Sequence, residues 1–97
     1  LTMTAACAFA GRNVRVNAIL PGLTETGLTK PMFDWARKSG KEDRMGMLTP
    51  LQRPGHVDDM AGVAAFLASD DSAYVDGQLI ATDGGISATH PAGKFVY

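Results

Sequence analysis

A chain of 97 residues has room for one domain or a piece of one, and with 45% hydrophobic, 20% charged and 7% aromatic residues it is too apolar to remain disordered. Nine Lys and Arg against ten Asp and Glu give a net charge of −1 with no basic run to track a phosphate backbone, which argues against a nucleic-acid partner. One cysteine and two histidines exclude an internal disulfide and a metal-ligand cluster, and no stretch reaches the ~20 apolar residues of a membrane span or has a signal-peptide layout, so a cytoplasmic protein is expected, with Cys7 as a small core residue.

The sequence opens at Leu1 in mid-pattern, with neither an initiator methionine nor a cap before an apolar helical run, and an N-terminal part is expected to precede it. Residues Leu1 to Ala10 are Ala-rich, free of Gly and Pro, and predict a helix that Gly11 stops. Asn13 to Leu20 alternates at Val14, Val16 and Ala18 and ends in Ile19-Leu20, which predicts a buried strand ended by Pro21-Gly22.

Residues 23–50 are irregular, with a short helix expected near Met32 to Lys38 and breakers at Gly46 and Pro50. Excursions of that length inside a compact domain tend to be functional covers, so this one is a candidate substrate lid; an ordinary mobile loop is the alternative. Val57 to Ala68 recurs with helical spacing behind Asp58 and Asp59, whose charges suit a helix N-terminus. Ser69 to Ser72 break that helix, Tyr74 to Gly77 form a turn, and Gln78 to Thr82 read as a short buried strand ended by Asp83-Gly84-Gly85. The tail, Ile86 to Tyr97, ends in Phe95, Val96 and Tyr97, which suggests docking onto a neighbour.

Two strands joined by a helical crossover lie parallel with a right-handed connection, so the class is α/β. Ligands of open parallel sheets bind beyond the carboxyl ends of the strands, which puts the turn from Pro21 to Thr26 at a binding edge. Thr24 and Thr26 offer hydroxyls and backbone amides there, and capping the turn would use the same groups.

At these residues a resemblance appears. The run LTMTAACAFAGRNVRVNAILPGLTET is similar to the helix, Arg-Val-Asn strand and Pro-Gly turn of short-chain dehydrogenases/reductases. PLQRPGHVDDMA resembles the family's Pro-Leu-x-Arg-x-Gly segment, and Phe66 to Asp70, Tyr74 to Gln78 and Thr82 to Gly85 continue the pattern in order, so the likeness covers Leu1 to Ile86. Each motif alone is weak, and their joint order is specific.

The resemblance implies the C-terminal portion of a Rossmann-like, doubly wound parallel sheet that binds NAD or NADP and moves a hydride to or from a small alcohol or carbonyl substrate. It implies a nicotinamide clamp at Thr24, through its backbone, and Thr26, through its hydroxyl, with Pro21, Gly22 and Leu23 shaping the contact. It also implies a homo-oligomer, dimer or tetramer, built through the Val57–Ala68 helix and the Gln78–Thr82 strand. Thr24 departs from the β-branched apolar residue usual there, and Val57 from a helix-opening proline, so some fraying of that helix start is expected.

The family's Gly-rich dinucleotide loop, catalytic serine and Tyr-x-x-x-Lys pair are not in these residues; alignment puts the Tyr and Lys within about three helical turns before Leu1. No catalytic residue is therefore assigned, and the 97 residues alone are expected to be inactive. Tyr74 and Tyr97 lack a lysine four residues on and are expected to pack. His56, ahead of Val57-Asp58-Asp59, suits a helix cap or a solvated position better than an acid/base role. Met32, Phe33 and Trp35 could line a substrate pocket or form an ordinary apolar helix face. The contrasting reading of the whole is a noncatalytic remnant acting in assembly alone.

Overall fold

Residues 1–89 are described in a computed structural model of the chain. His90, Tyr97 and the expected docking of Phe95, Val96 and Tyr97 lie outside them. Helix α1 spans Thr2–Ala8, shorter than its Ala-rich run, because the Ala10 amide turns back to the Cys7 carbonyl (3.1 Å) and Gly11 takes the left-handed backbone (φ 76°) that ends the helix. The body-facing side of α1 is set by Ala6, against which Gly77 comes close. Cys7, about 100° further round the helix, is exposed, which corrects its expected place in a core.

Strands β1 (Ala18–Pro21) and β2 (Leu79–Thr82) run parallel, with Ala18 opposite Leu79 and Pro21 opposite Thr82. The α/β class and the parallel pairing are as expected, and the regular ladder is shorter than the alternation from Asn13 implied. Upstream of Ala18 the Gly77 amide still donates to the Val16 carbonyl (2.8 Å), and side chains do the rest of the pairing. Asp76 Oδ1 accepts the Val16 amide (2.8 Å), and Asn17 takes the Val75 carbonyl with its Nδ2 (3.0 Å) and the Gln78 amide with its Oδ1 (3.0 Å). That last bond occupies Gln78, so β2 starts one residue later than its sequence suggested.

Pro21 was expected to end the strand, yet it is the last ladder residue. The amides of Ala18 and Gly22 donate to the Gln78 and Thr82 carbonyls (2.9 and 3.1 Å), so Pro21 occupies an alternate position whose missing N–H faces away from β2. Nor is β1 buried as expected: Ala18 and Ile19 are half-buried, and Leu20 and Pro21 exposed, because among the described residues β1 has β2 on one edge and α3 on one face.

Helix α2, Lys30–Lys38, begins two residues before the expected start because Pro31 fits the first helical turn, where a missing N–H costs nothing. It carries Phe33 and Ala36, the buried apolar residues among those described, so packing is tightest under the excursion and not under the sheet. Helix α3, Val57–Ala68, has the limits its periodicity predicted. Arg15 fastens its C-terminal end, donating to the Leu67 (2.8 Å), Ser69 (3.4 Å) and Val75 (3.2 Å) carbonyls; a cation there satisfies orphan carbonyls and opposes the helix dipole. The following turn is anchored by buried Ser72, whose hydroxyl lies against the Leu67 and Ser69 carbonyls, and Tyr74 at its tip is fully exposed, not packed as expected.

Candidate functional site

The turn from Pro21 to Thr26 continues β1 beyond the carboxyl edge of the sheet and meets the segment before α3. Thr24 bridges Gly55 in parallel: the Gly55 amide donates to the Leu23 carbonyl (2.7 Å) and the Glu25 amide to the Gly55 carbonyl (3.0 Å). In a parallel ladder alternate residues direct their amide groups to opposite sides, so the Thr24 N–H and C=O face away from Gly55. Its side chain turns the other way, buried, with Oγ1 donating to the Gly22 carbonyl (3.1 Å). The packing that the departure at Thr24 put in question is thereby replaced by a hydroxyl that staples the turn.

On the outward side of Thr24 stands Thr29, which precedes α2. A threonine there ordinarily caps the helix by accepting from the second or third amide of the helix. Here the second helical residue is Pro31, without an amide, and Thr29 points backward instead. Its one hydroxyl proton goes to the Thr24 carbonyl (2.6 Å), and the oxygen accepts the Thr26 amide (2.9 Å). The Thr26 hydroxyl has a contact with Thr29 Oγ1 at 3.4 Å, too long to satisfy it. Among the described residues the Thr24 amide, a second lone pair on its carbonyl and the Thr26 hydroxyl have no close partner: a donor, an acceptor and a group that can be either. That set fits a carboxamide, so the residues present suit the nicotinamide end of a dinucleotide.

Glu25, between the two threonines, is paired with Arg37 of α2 (2.6 Å); the same guanidinium reaches Glu42 (2.9 Å) and Asp34 (3.6 Å). Thr29 and Arg37 were not singled out from the sequence. The Thr-Lys-Pro start of α2 was a usable signal for the first; nothing local marks the second.

Gly22 and Leu23 line a cavity of ≈ 580 Å³ bounded by Thr49 to Leu51 on one side and Thr82 to Gly85 on the other. Pro21, Thr24 and Thr26 do not line it, so the five candidate residues form one turn with two faces. The Thr82 hydroxyl is buried at that cavity with no partner among the described residues. Of the residues considered for a substrate pocket, Phe33 is buried and Met32 and Trp35 are exposed; Arg37 lies over the Phe33 ring and Lys41 over Trp35 (5.9 and 5.2 Å). An ordinary helix face, half covered by cations, accounts for all three.

His56 is exposed at the N-cap position of α3, as the capping reading had it. The helix is regular from Val57 onward, and its start is tied by the Asp59 carboxylate, which accepts from the His56 amide (2.8 Å) and from both terminal nitrogens of Arg53 (2.9 and 3.0 Å). Arg53 first, then the His56 amide, hold the Asp59 carboxyl far below the usual carboxylate range. A depressed folded-state pKa stabilises above the ordinary value of about 3.9 and loses that contribution as pH falls toward the folded-state value. Amide exchange in the first turn of α3 should therefore accelerate below about pH 4 in the native protein and, after Asp59→Asn, be fast already at neutral pH with a flatter profile. Equal profiles for the two would remove Asp59 as the group responsible.

The sequence model of a family described as enoyl-(acyl carrier protein) reductase matches residues 1–87. A Caenorhabditis elegans protein named dehydrogenase/reductase SDR family member 4 is 41% identical over 93 residues, 91% of this chain and 34% of the relative. The chain belongs to the short-chain dehydrogenase/reductase family. Another member, 3-oxoacyl-(acyl-carrier-protein) reductase of Thermotoga maritima, is 44% identical over 86 residues, 89% of this chain and 33% of the relative. The chain thus spans about a third of the length of these family members. Among solved structures, Thermoplasma acidophilum aldohexose dehydrogenase superposes with a TM-score of 0.82 at 28% identity, over 96% of this chain and 38% of the other. A putative 2-deoxy-D-gluconate 3-dehydrogenase from Agrobacterium tumefaciens, solved with bound NADP, superposes at 0.75 and 37% identity over 91% of this chain and 35% of the other. The fold is the corresponding part of a Rossmann-like sheet. Among the described residues no helix is long and apolar enough to cross a membrane.

Proposed function

We propose that this chain is the nicotinamide-clamping portion of an NAD(P)-dependent oxidoreductase that interconverts a small alcohol and its carbonyl compound in the cytoplasm. When bound, the nicotinamide accepts or supplies the hydride. The open amide and carbonyl of Thr24 receive the carboxamide and the Thr26 hydroxyl completes the set, while Pro21, Gly22 and Leu23 shape the turn. Residues 23–50 serve as substrate lid. The proton-transferring Tyr and its Lys, and the Ser that orients substrate, belong to a preceding segment of the same Rossmann-like domain, so the 97 residues alone are inactive. Helix α3 and the Gln78–Thr82 strand provide a homo-oligomer interface; Val57 at 58% and Phe66 at 44% exposure leave α3 with apolar surface to cover.

The observation that carries the reading is the orientation of Thr24, whose amide and carbonyl face away from Gly55 beside an unsatisfied Thr26 hydroxyl. The reading frame upstream of Leu1 tests it. A Gly-rich strand-turn-helix and a Tyr-x-x-x-Lys pair just before LTMT, with NADH or NADPH fluorescence enhanced on binding the encoded protein, are the expected results. A stop codon or unrelated sequence there, or no cofactor binding, would leave the assembly remnant as the better account.

A further inference from the structure

The turn and α2 are joined at two points that neither the sequence nor the family assignment calls for. The first is Thr29, whose hydroxyl is spent on the Thr24 carbonyl and the Thr26 amide and not on capping its own helix. The second is Arg37, two turns along α2, which reaches back to Glu25 at 2.6 Å. Glu25 lies between the two clamp threonines, and its backbone is fixed by Gly55. A rigid helix held at its start and at its penultimate residue cannot shift without dragging whatever holds it.

We infer that Thr29 is a positioning residue of the clamp, and that with the Arg37–Glu25 pair it couples the turn to α2. The inference rests on the clamp reading above. The hydroxyl fixes which Thr24 carbonyl lone pair stays open and keeps the Thr26 amide from competing for the ligand. The ion pair makes the same geometry depend on where α2 sits, so a ligand that bends the turn moves the excursion. Two-fifths of the Arg37 side chain is exposed, so this second tether is sensitive to salt, whereas the Thr29 bonds are neutral and are not.

The test compares the complete protein with its Thr29→Val, Thr29→Ser and Arg37→Gln variants. Thr29→Val, nearly isosteric but without the hydroxyl, should raise amide exchange at Thr26 by about tenfold and weaken NADH or NADPH binding, followed by fluorescence, by a similar factor; Thr29→Ser should restore both to within about twofold. Arg37→Gln should raise exchange along Lys30–Lys38 and also at Thr26, and ~0.5 M NaCl should reproduce that effect in the native protein. The inference is overturned if Thr29→Val leaves Thr26 exchange unchanged, if Ser and Val are equally impaired, or if Arg37→Gln loosens α2 without affecting Thr26. If the native protein binds neither cofactor while Thr26 exchange still responds to Thr29 and Arg37, the coupling stands and the proposed function fails.

Discussion

Gly22→Ala is expected to weaken cofactor binding by about tenfold to a hundredfold and to destabilise the protein by about 2 kcal/mol. The reason is contact, not backbone conformation, since Gly22 does not have a positive φ. A methyl group on Gly22 would lie 2.7 Å from the Asp83 Cα and 2.8 Å from its Cβ, the first a backbone atom that cannot swing aside. The ends of β1 and β2 would be forced apart where the Gly22 amide donates to the Thr82 carbonyl (3.1 Å), and the displacement passes directly into Leu23 and Thr24. Gly62 makes the control. It lies inside α3, away from the turn, with nothing among the described residues of its own chain within 4 Å of an added methyl, so Gly62→Ala should favour the helix by about 0.5–1 kcal/mol within the protomer and leave cofactor affinity alone. Denaturant midpoints and cofactor titrations of the two variants decide the matter; Gly22→Ala binding as well as Gly62→Ala would show that the turn does not need the close approach.

How much of this was legible in sequence depends on which kind of contact sets each feature. Helix α3 was read with its correct limits because a 3.6-residue apolar period and two leading acids are local signals. The parallel pairing followed from the order of the elements. The limits of β1 and β2 were not readable, because Asn17 and Asp76, some 60 residues apart, replace ladder bonds with side-chain bonds, and no local pattern reveals a partner that distant. Cys7 and Tyr74 were placed inside on residue type alone, while their positions on α1 and at a turn tip put them outside. At the candidate site the turn itself was recognisable from Pro21 to Thr26. Its two faces were not, since they arise from the bridge to Gly55, and Thr29 escaped because its sequence context signals a cap that the hydroxyl does not make.

The same dependence on remote contact makes Gly46 the position where a small change should cost most. Its φ of 81° is left-handed, which costs an L-residue about 1–2 kcal/mol before any contact is considered. An added methyl would also collide with the Arg53 carbonyl carbon and the Pro54 nitrogen and stand 2.6 Å from the Arg53 carbonyl oxygen, all backbone. Gly46 is buried there, and its carbonyl accepts the hydroxyl of buried Thr49 (2.8 Å), which in turn packs against Gly84 beyond β2. Gly46→Ala should therefore cost about 3 kcal/mol or more and part the excursion from the segment leading into α3, exposing residues 45–54 to protease. Gly46→Asn separates the two causes. Asparagine tolerates the left-handed backbone but still carries a Cβ, so it should be nearly as damaging as alanine if the collision dominates. Recovery of native protease resistance by asparagine would assign the effect to backbone conformation and remove the close approach of Gly46 to Arg53 and Pro54 as the feature that shapes the excursion.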